Sequence, residues 1–419
     1  MRRITRFCAG VIVLACAGTG FGQNVDLAEL RGRLTSNDFA VREKAQAELS
    51  KMPQSQFEML QTAAENESDP EVKSRLDARV SEMVIFKLTH PPRLSIDVKN
   101  AGPQAVADAL NKQMDLPRIQ VSSPPGEKTF TLRVEDQPLW EILRQLDQQD
   151  SISFQAGPVP KAEIRGSGLF LSHSTGTAKP HALKVMDGFA LEVAISGKPA
   201  SGNWKIEVLG YVDPRVPALQ AGAIRVEKVT DQAGRDLLPL VTEKSMPAQS
   251  FYSDVQMVTW TNTVTLSAAP GATRIGELRG SIPVMLVEKR GSVKVDLKGK
   301  LFEPMDILAG RMSVERRANG DVYLSIANAA LEALPKPNVP RGGGNSSSKL
   351  IDGTGRVMVR RPGTPQDVRA LSLAPGQTMS LGAEGIAEIR WIDKVREFLL
   401  PVEYRNVEMP ANTPPPINR

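Results

Sequence analysis

Cysteine and histidine are nearly absent from this 419-residue chain: two cysteines, Cys8 and Cys16, and three histidines, His90, His173 and His181. Both cysteines fall within the first 22 residues, so a chain without that segment has no disulfide and no cysteine metal ligand. Its stability must then come from burial alone. Aromatics make up 5% of the residues, few for a surface that stacks on sugars or bases. No second long apolar run follows the first segment, so no membrane span is expected beyond it. No Gly-x-Ser-x-Gly elbow occurs, which removes the commonest serine-hydrolase signal. Gly166-Ser167-Gly168 and Gly353-Thr354-Gly355 lack a third glycine and run into strand-like sequence, and Ser196-Gly197-Lys198-Pro199 fails as a phosphate loop for the same reason. His173 and His181 are close enough to share a loop, but no third ligand accompanies them, and surface histidines are the expectation. The residues thus point to no catalytic group, no metal and no cofactor. A pair of carboxylates meeting in the fold, as in a glycan or peptide hydrolase, stays open as an alternative.

Charge of one sign is also missing. The net charge of +5 falls to +2 without residues 1–22, which hold three arginines and no acid. A near-neutral chain carries no broad field for nucleic acid.

What is present begins with a signal-like segment. Arg2, Arg3 and Arg6 precede an uncharged apolar run from Phe7 to Ala17, closed by Gly20 and Gly22. That run is about 11 residues, against the roughly 20 that span a bilayer, so residues 1–22 read as a secretory signal, with a buried N-terminal helix as the alternative. Val13-Leu14-Ala15-Cys16 resembles the lipobox of bacterial lipoproteins, although Val stands where Leu is commoner. The resemblance implies lipidation of Cys16; ordinary signal cleavage is the other reading. Export to the periplasm or cell surface is expected on both.

Residues 25–88 carry four helical stripes: Leu27, Leu30 and Leu34; Val41, Ala45 and Leu49 behind a capping Asp38; Phe57, Leu60 and Ala64; and Val72, Leu76, Val80 and Met83. Ser68 and Glu71 form a capping-box pattern with Pro70 in the first turn. The stretches Leu34–Ala45 and Asp69–Arg75 resemble HEAT-type repeats, which implies a stacking scaffold; an ordinary helical bundle is the alternative.

Residues 92–156 duplicate a strand–helix–strand pattern. Leu94–Val98 alternates as a strand, Val106, Ala109 and Leu110 share a helical face, and Ile119–Val121 is a short strand. After Pro124-Pro125-Gly126 the pattern restarts with Phe130–Val134, then Leu139, Ile142, Leu143 and Leu146, then Ile152–Phe154. The βαββαβ order and the run Glu135-Asp136-Gln137-Pro138-Leu139 resemble the short N-terminal domain of secretins and TonB-dependent transducers. The resemblance implies a periplasmic protein-contact module with an envelope or regulatory partner, but no secretin ring or transmembrane barrel sequence follows. Trp140, beside the apolar stripe, is either a partner-contact residue or a residue at the edge of the core.

From residue 160 onward alternating segments dominate, among them Ala190–Ile195, Lys205–Leu209, Ile282–Val287 and Val293–Leu297. Asp231–Arg235 matches Asp352–Arg356, and Ile275–Arg279 matches Ile386–Arg390, in the same order. Two tandem sandwiches are expected, residues 160–302 and 303–410, with chance similarity as the alternative. The Gly/Ser stretch 341–349 is a loop of the second sandwich or a linker, and 411–419 is an extended or disordered tail.

The expected fold class is therefore multidomain: short α-helical HEAT-like hairpins, an α+β βαββαβ domain, then two mainly antiparallel β-sandwich-like domains. The expected function is that of a non-catalytic exported envelope protein acting as an interaction or scaffold module. A periplasmic signalling or secretion-system component is the second reading, and a hydrolase the third.

Overall fold

The computed structural model describes residues 26–114, 119–121, 129–150, 152–158, 167–173, 183–198, 203–245, 259–266, 272–308, 310–328, 357–360, 371–373 and 376–408. The signal-like segment with Cys16, His181, the copy at 352–356, the 341–349 stretch and the tail lie outside the described residues. A helical N-terminal region is followed by a β-rich remainder in several antiparallel sheets. The chain divides into two units, Met1–Met83 and Val84–Arg419.

The first unit holds α1 (Leu27–Leu34), α2 (Phe39–Ser50), α3 (Phe57–Asn66) and most of α4 (Pro70–Thr89). Its core is Leu30, Leu34, Ala45, Leu49, Met52, Leu60, Ala64, Val72, Leu76 and Met83, nearly all at the expected helical spacings. Asp38 caps α2 through Ala40 N at 2.8 Å. α4 starts differently from the expectation. Proline takes the first helical position, so the cap is the residue before it: Asp69 Oδ1 accepts Glu71 N at 2.9 Å and Val72 N at 3.0 Å, not Ser68. Glu67 is buried and accepts from Ser68 N, Asp69 N and Arg31. Those backbone bonds, with burial opposing and Arg31 assisting, hold its carboxyl below the usual range.

The second unit opens with β1 (Leu94–Ala101), α5 (Pro103–Met114), β2 (Ile119–Val121), β3 (Phe130–Gln137), α6 (Leu139–Asp150) and β4 (Ile152–Pro158), in the expected order. β1 pairs with β3 in one antiparallel sheet. β5 (Ser167–His173) inserts between β2 and β4, parallel to the first and antiparallel to the second. The α/β part therefore reaches to His173, beyond the expected end at 156. Its core joins the buried faces of α5 and α6 to β1 and β3.

Next come β6 (Lys184–Met186), β7 (Phe189–Lys198), β8 (Asn203–Val212), β9 (Ala218–Ala221), β10 (Arg225–Asp231), β11 (Val241–Ser245), β12 (Thr259–Leu266) and β13 (Arg274–Asp296). β14 (Met305–Ile307), β15 (Gly310–Arg316), β16 (Val322–Asn328), β17 (Val357–Arg360), β18 (Leu371–Leu373), β19 (Thr378–Gly382) and β20 (Ile386–Glu408) complete the chain. They make a five-stranded sheet β11-β12-β8-β7-β6, a four-stranded sheet β14-β15-β16-β19, and a six-stranded sheet β10-β13-β20-β17-β18 with β9 also on β13. One face of the five-stranded sheet, with Leu191, Ile206 and Val208, packs on the six-stranded sheet. The other, with Ala190 and Tyr211, packs on the α/β part.

β13 and β20 are each 23 residues long and pair over their whole length. Ile275 to Leu286 of β13 and Leu400 and Val402 of β20 belong to one core, while Val295, Ala387 and Ile389 belong to another. The expected boundary at 302/303 is thus not where the β cores separate, because each long strand contributes to both. Sequence alternation gives two separate segments here, Ile282–Val287 and Val293–Leu297, where the structure has one strand. Pro283 is tolerated because its nitrogen faces the gap between β10, which pairs with β13 as far as Ser281, and β9, whose pairing with β13 starts at Val284. Gly291 lies across from Trp391, whose indole fills the place of a Cβ; Gly210 and Trp260 repeat the device.

Candidate functional site

Several titratable side chains of the second unit meet at a joint of three segments. The first is the end of α4, where Pro91 and Pro92 stop the helix before β1. The second is the turn between β6 and β7. Asp187 has φ 44° and Met186 pairs with Phe189, so Asp187-Gly188 is a two-residue hairpin turn. The third is the loop after β8, from Asp213 to Val216.

Backbone bonds draw these together: Gly188 N donates to Thr89 O at 3.1 Å, and Asp213 N donates to Gly188 O at 2.8 Å. A Cβ on Gly188 would stand 2.4 Å from Thr89 O, so the approach requires glycine. His90 Nε2 lies 3.3 Å from one oxygen of Asp187, and Arg93 reaches the other at 3.2 Å. Asp213, fully buried, is held by Arg215 through Nε at 2.9 Å and a terminal nitrogen at 2.6 Å. The same guanidinium also donates to Pro92 O.

Thr89, His90 and Asp187 stand in the order of a nucleophile, base and acid, with the Thr89 hydroxyl 3.0 Å from His90 Nδ1. Accessibility decides against that chemistry. Thr89 is 3% exposed, and its hydroxyl donates back to Ile85 O at 2.8 Å. His90 Nδ1 also faces Phe86 O at 3.0 Å, and its ring stacks on Phe86 at 3.8 Å. The arrangement ties three segments together rather than presenting an oxygen to a substrate.

A second polar group lies where α6 meets the five-stranded sheet. Tyr211 donates to Glu192 at 3.3 Å, and burial, with the neighbouring Glu192 and Asp147 charges, pushes its phenol well up. Burial, then Glu192, does the same to Tyr404.

Trp140 belongs here, and of its two expected readings, partner contact and core, the structure corrects the first and keeps the second. It is 0% exposed, 5.5 Å from the Tyr211 ring, and so is a core residue and not a surface for a partner. The reason is that α6 is covered on two sides, by β3 and by the five-stranded sheet, so its buried stripe widens to Leu139, Trp140, Ile142, Leu143 and Leu146. His173 lies in β5, paired with Ile152. Among the described residues no group of three His, Cys, Asp or Glu could hold a metal ion.

Sequence reasoning missed Asp187-Gly188, although an Asp-Gly pair between Met186 and Phe189 is a strong hairpin signal. It had no signal for Asp213 and Arg215. Comparisons with protein-family models, with curated proteins and with solved structures find no match.

Proposed function

We propose that this chain is a non-catalytic exported envelope protein that serves as a protein-interaction scaffold in the periplasm or at the cell surface, anchored by lipid where Cys16 is modified. On this reading the helices up to Thr89 are HEAT-like hairpins. The α/β part is a contact module like the short N-terminal domain of secretins and TonB-dependent transducers. The remaining sheets are two sandwich-like domains that share β13 and β20. Its partner is another envelope protein.

The observation that carries the reading is the paired run of β13 and β20 through both cores. A strand pair of this length is a frame: it holds two cores at a set spacing and leaves backbone edges for other strands. The titratable groups support the same view, since they serve as ties. Glu288 is one example. Burial pulls its carboxyl up, but bonds from Arg396 and Lys394 outweigh that and hold it below the usual range. Crosslinking in intact cells followed by mass spectrometry tests the proposal. Crosslinks from β-sheet residues to one or a few envelope proteins are expected. Crosslinks confined to this chain would overturn it.

A further inference from the structure

The scaffold reading leaves open where a partner strand would add, and the lower half of β13 answers that. One edge of β13 is paired with β20 throughout; the other is paired with β10 up to Ser281 and with β9 from Val284 to Leu286. Val287 N then donates to Pro217 O. Below that point no described strand follows on this edge.

The direction of each backbone group follows from the ladder. Leu297 N donates to Gly385 O, on the β20 side, and Asp296 O accepts Gly299 N, on the other. Register is unbroken from Arg290 to Asp296, so alternate residues face alternate sides. Ser292 and Lys294 therefore aim their N–H and C=O groups at the open edge, and no described residue bonds them.

Beside this edge is a slot of about 310 Å³, walled by Val293 and Lys294 on one side and by Lys300, Leu301, Phe302 and Glu303 on the other. Nearby Lys289 is neutralised by Asp393 at 2.6 Å and Lys298 by Glu384 at 2.6 Å. Lys294 and Lys300 have no ion pair among the described residues; Glu303 is the acid of the slot, and Glu388, held by Arg390, stands across from Lys294 on β20. Val293, Leu301 and Phe302 turn toward the core and offer apolar contact between those charges.

We propose that the open edge at Ser292 and Lys294 binds an extended peptide strand of a partner protein in which acidic and apolar side chains alternate. The backbone groups supply the pairing, Lys294 and Lys300 select the acids, and the slot takes the apolar side chains. The inference rests on the scaffold reading and gives it a docking site.

The test uses the full chain and two capped heptapeptides, Glu-Val-Glu-Val-Glu-Val-Glu and its Lys-for-Glu counterpart, followed by calorimetry and amide exchange. The acidic peptide is expected to bind more tightly than the basic one by about tenfold or more and to slow exchange at Ser292 and Lys294. Lys294→Pro removes an N–H that faces outward and leaves the β20 ladder whole, so it should abolish binding without loss of fold. Should that variant fail to fold, the pair Lys294→Glu and Lys300→Glu should reverse the preference between the peptides. Equal binding of both peptides, binding of neither, or acidic-peptide binding unchanged in a folded Lys294→Pro protein would overturn the inference. Peptide failure with cellular crosslinks retained removes the slot alone. Peptide binding without crosslinks removes the scaffold role alone.

Discussion

In the helical unit the buried residues from Leu30 to Met83 come from one continuous stretch of chain, whereas the largest core joins Phe189 and Trp260 to Leu400 and Val402. The first can close as soon as its helices exist. The second waits for the last described strand, since β20 supplies part of two cores and pairs with all of β13. Contacts that distant in sequence carry a loop-closure cost before they return any burial. The difference predicts one region that tolerates loss of the C-terminus and one that does not.

Ending the chain at Gly385 is the strongest test of that contrast. It should abolish cooperative unfolding of the β-rich unit while the helical circular-dichroism signal of the first unit persists; a surviving β transition would erase the distinction. Arg215→Ala should rank next. It strands the fully buried Asp213 carboxylate, and a cost of about 3–5 kcal/mol is expected in urea unfolding. Leu400→Ala and Leu60→Ala form a matched pair, each removing a fully buried side chain at a cost of about 2–5 kcal/mol. Leu400→Ala should shift only the β transition and Leu60→Ala only the helical one, as separate spectroscopic probes would report.

Two smaller effects refine the helical side. Asp69→Ala should cost about 1 kcal/mol by removing the cap of α4, measured as a lowered midpoint of the helical transition. Glu67 makes that transition sensitive to acid. Its carboxyl is depressed in the folded state, so the stability it contributes is present above the unfolded value, near 4.3, and lost as pH falls from there through the folded one. Glu67→Gln should flatten that part of the pH profile, and an unchanged slope would remove Glu67 as its source.

Much of the helical unit was legible because its signal is local. Leu30, Leu34, Ala45, Leu49, Leu60, Ala64, Val72, Leu76 and Met83 were expected at helical spacing and all are buried. The order of elements from β1 to β4 was legible for the same reason. The β-rich unit was read as alternating segments without their partners. The segments Ile282–Val287 and Val293–Leu297 fall along one strand, which keeps Pro283 and Gly291 because neighbouring chain accommodates them: a gap between β10 and β9 for the proline, the Trp391 ring for the glycine. The joint was partly legible. Asp187-Gly188 announces its turn in two residues, but nothing near it announces Asp213 and Arg215.

Period and capping chemistry in the sequence by themselves determined where the helices run, where strands alternate, and which residues of α4 and the Asp187-Gly188 turn take their conformations, because those choices depend on neighbours a few positions away. Only the tertiary structure decided that Trp140 is core and that β13 and β20 serve two cores. Each of those depends on what lies across a sheet or against the second side of a helix, and that neighbour can be more than a hundred residues distant, as Leu400 is from Ile282.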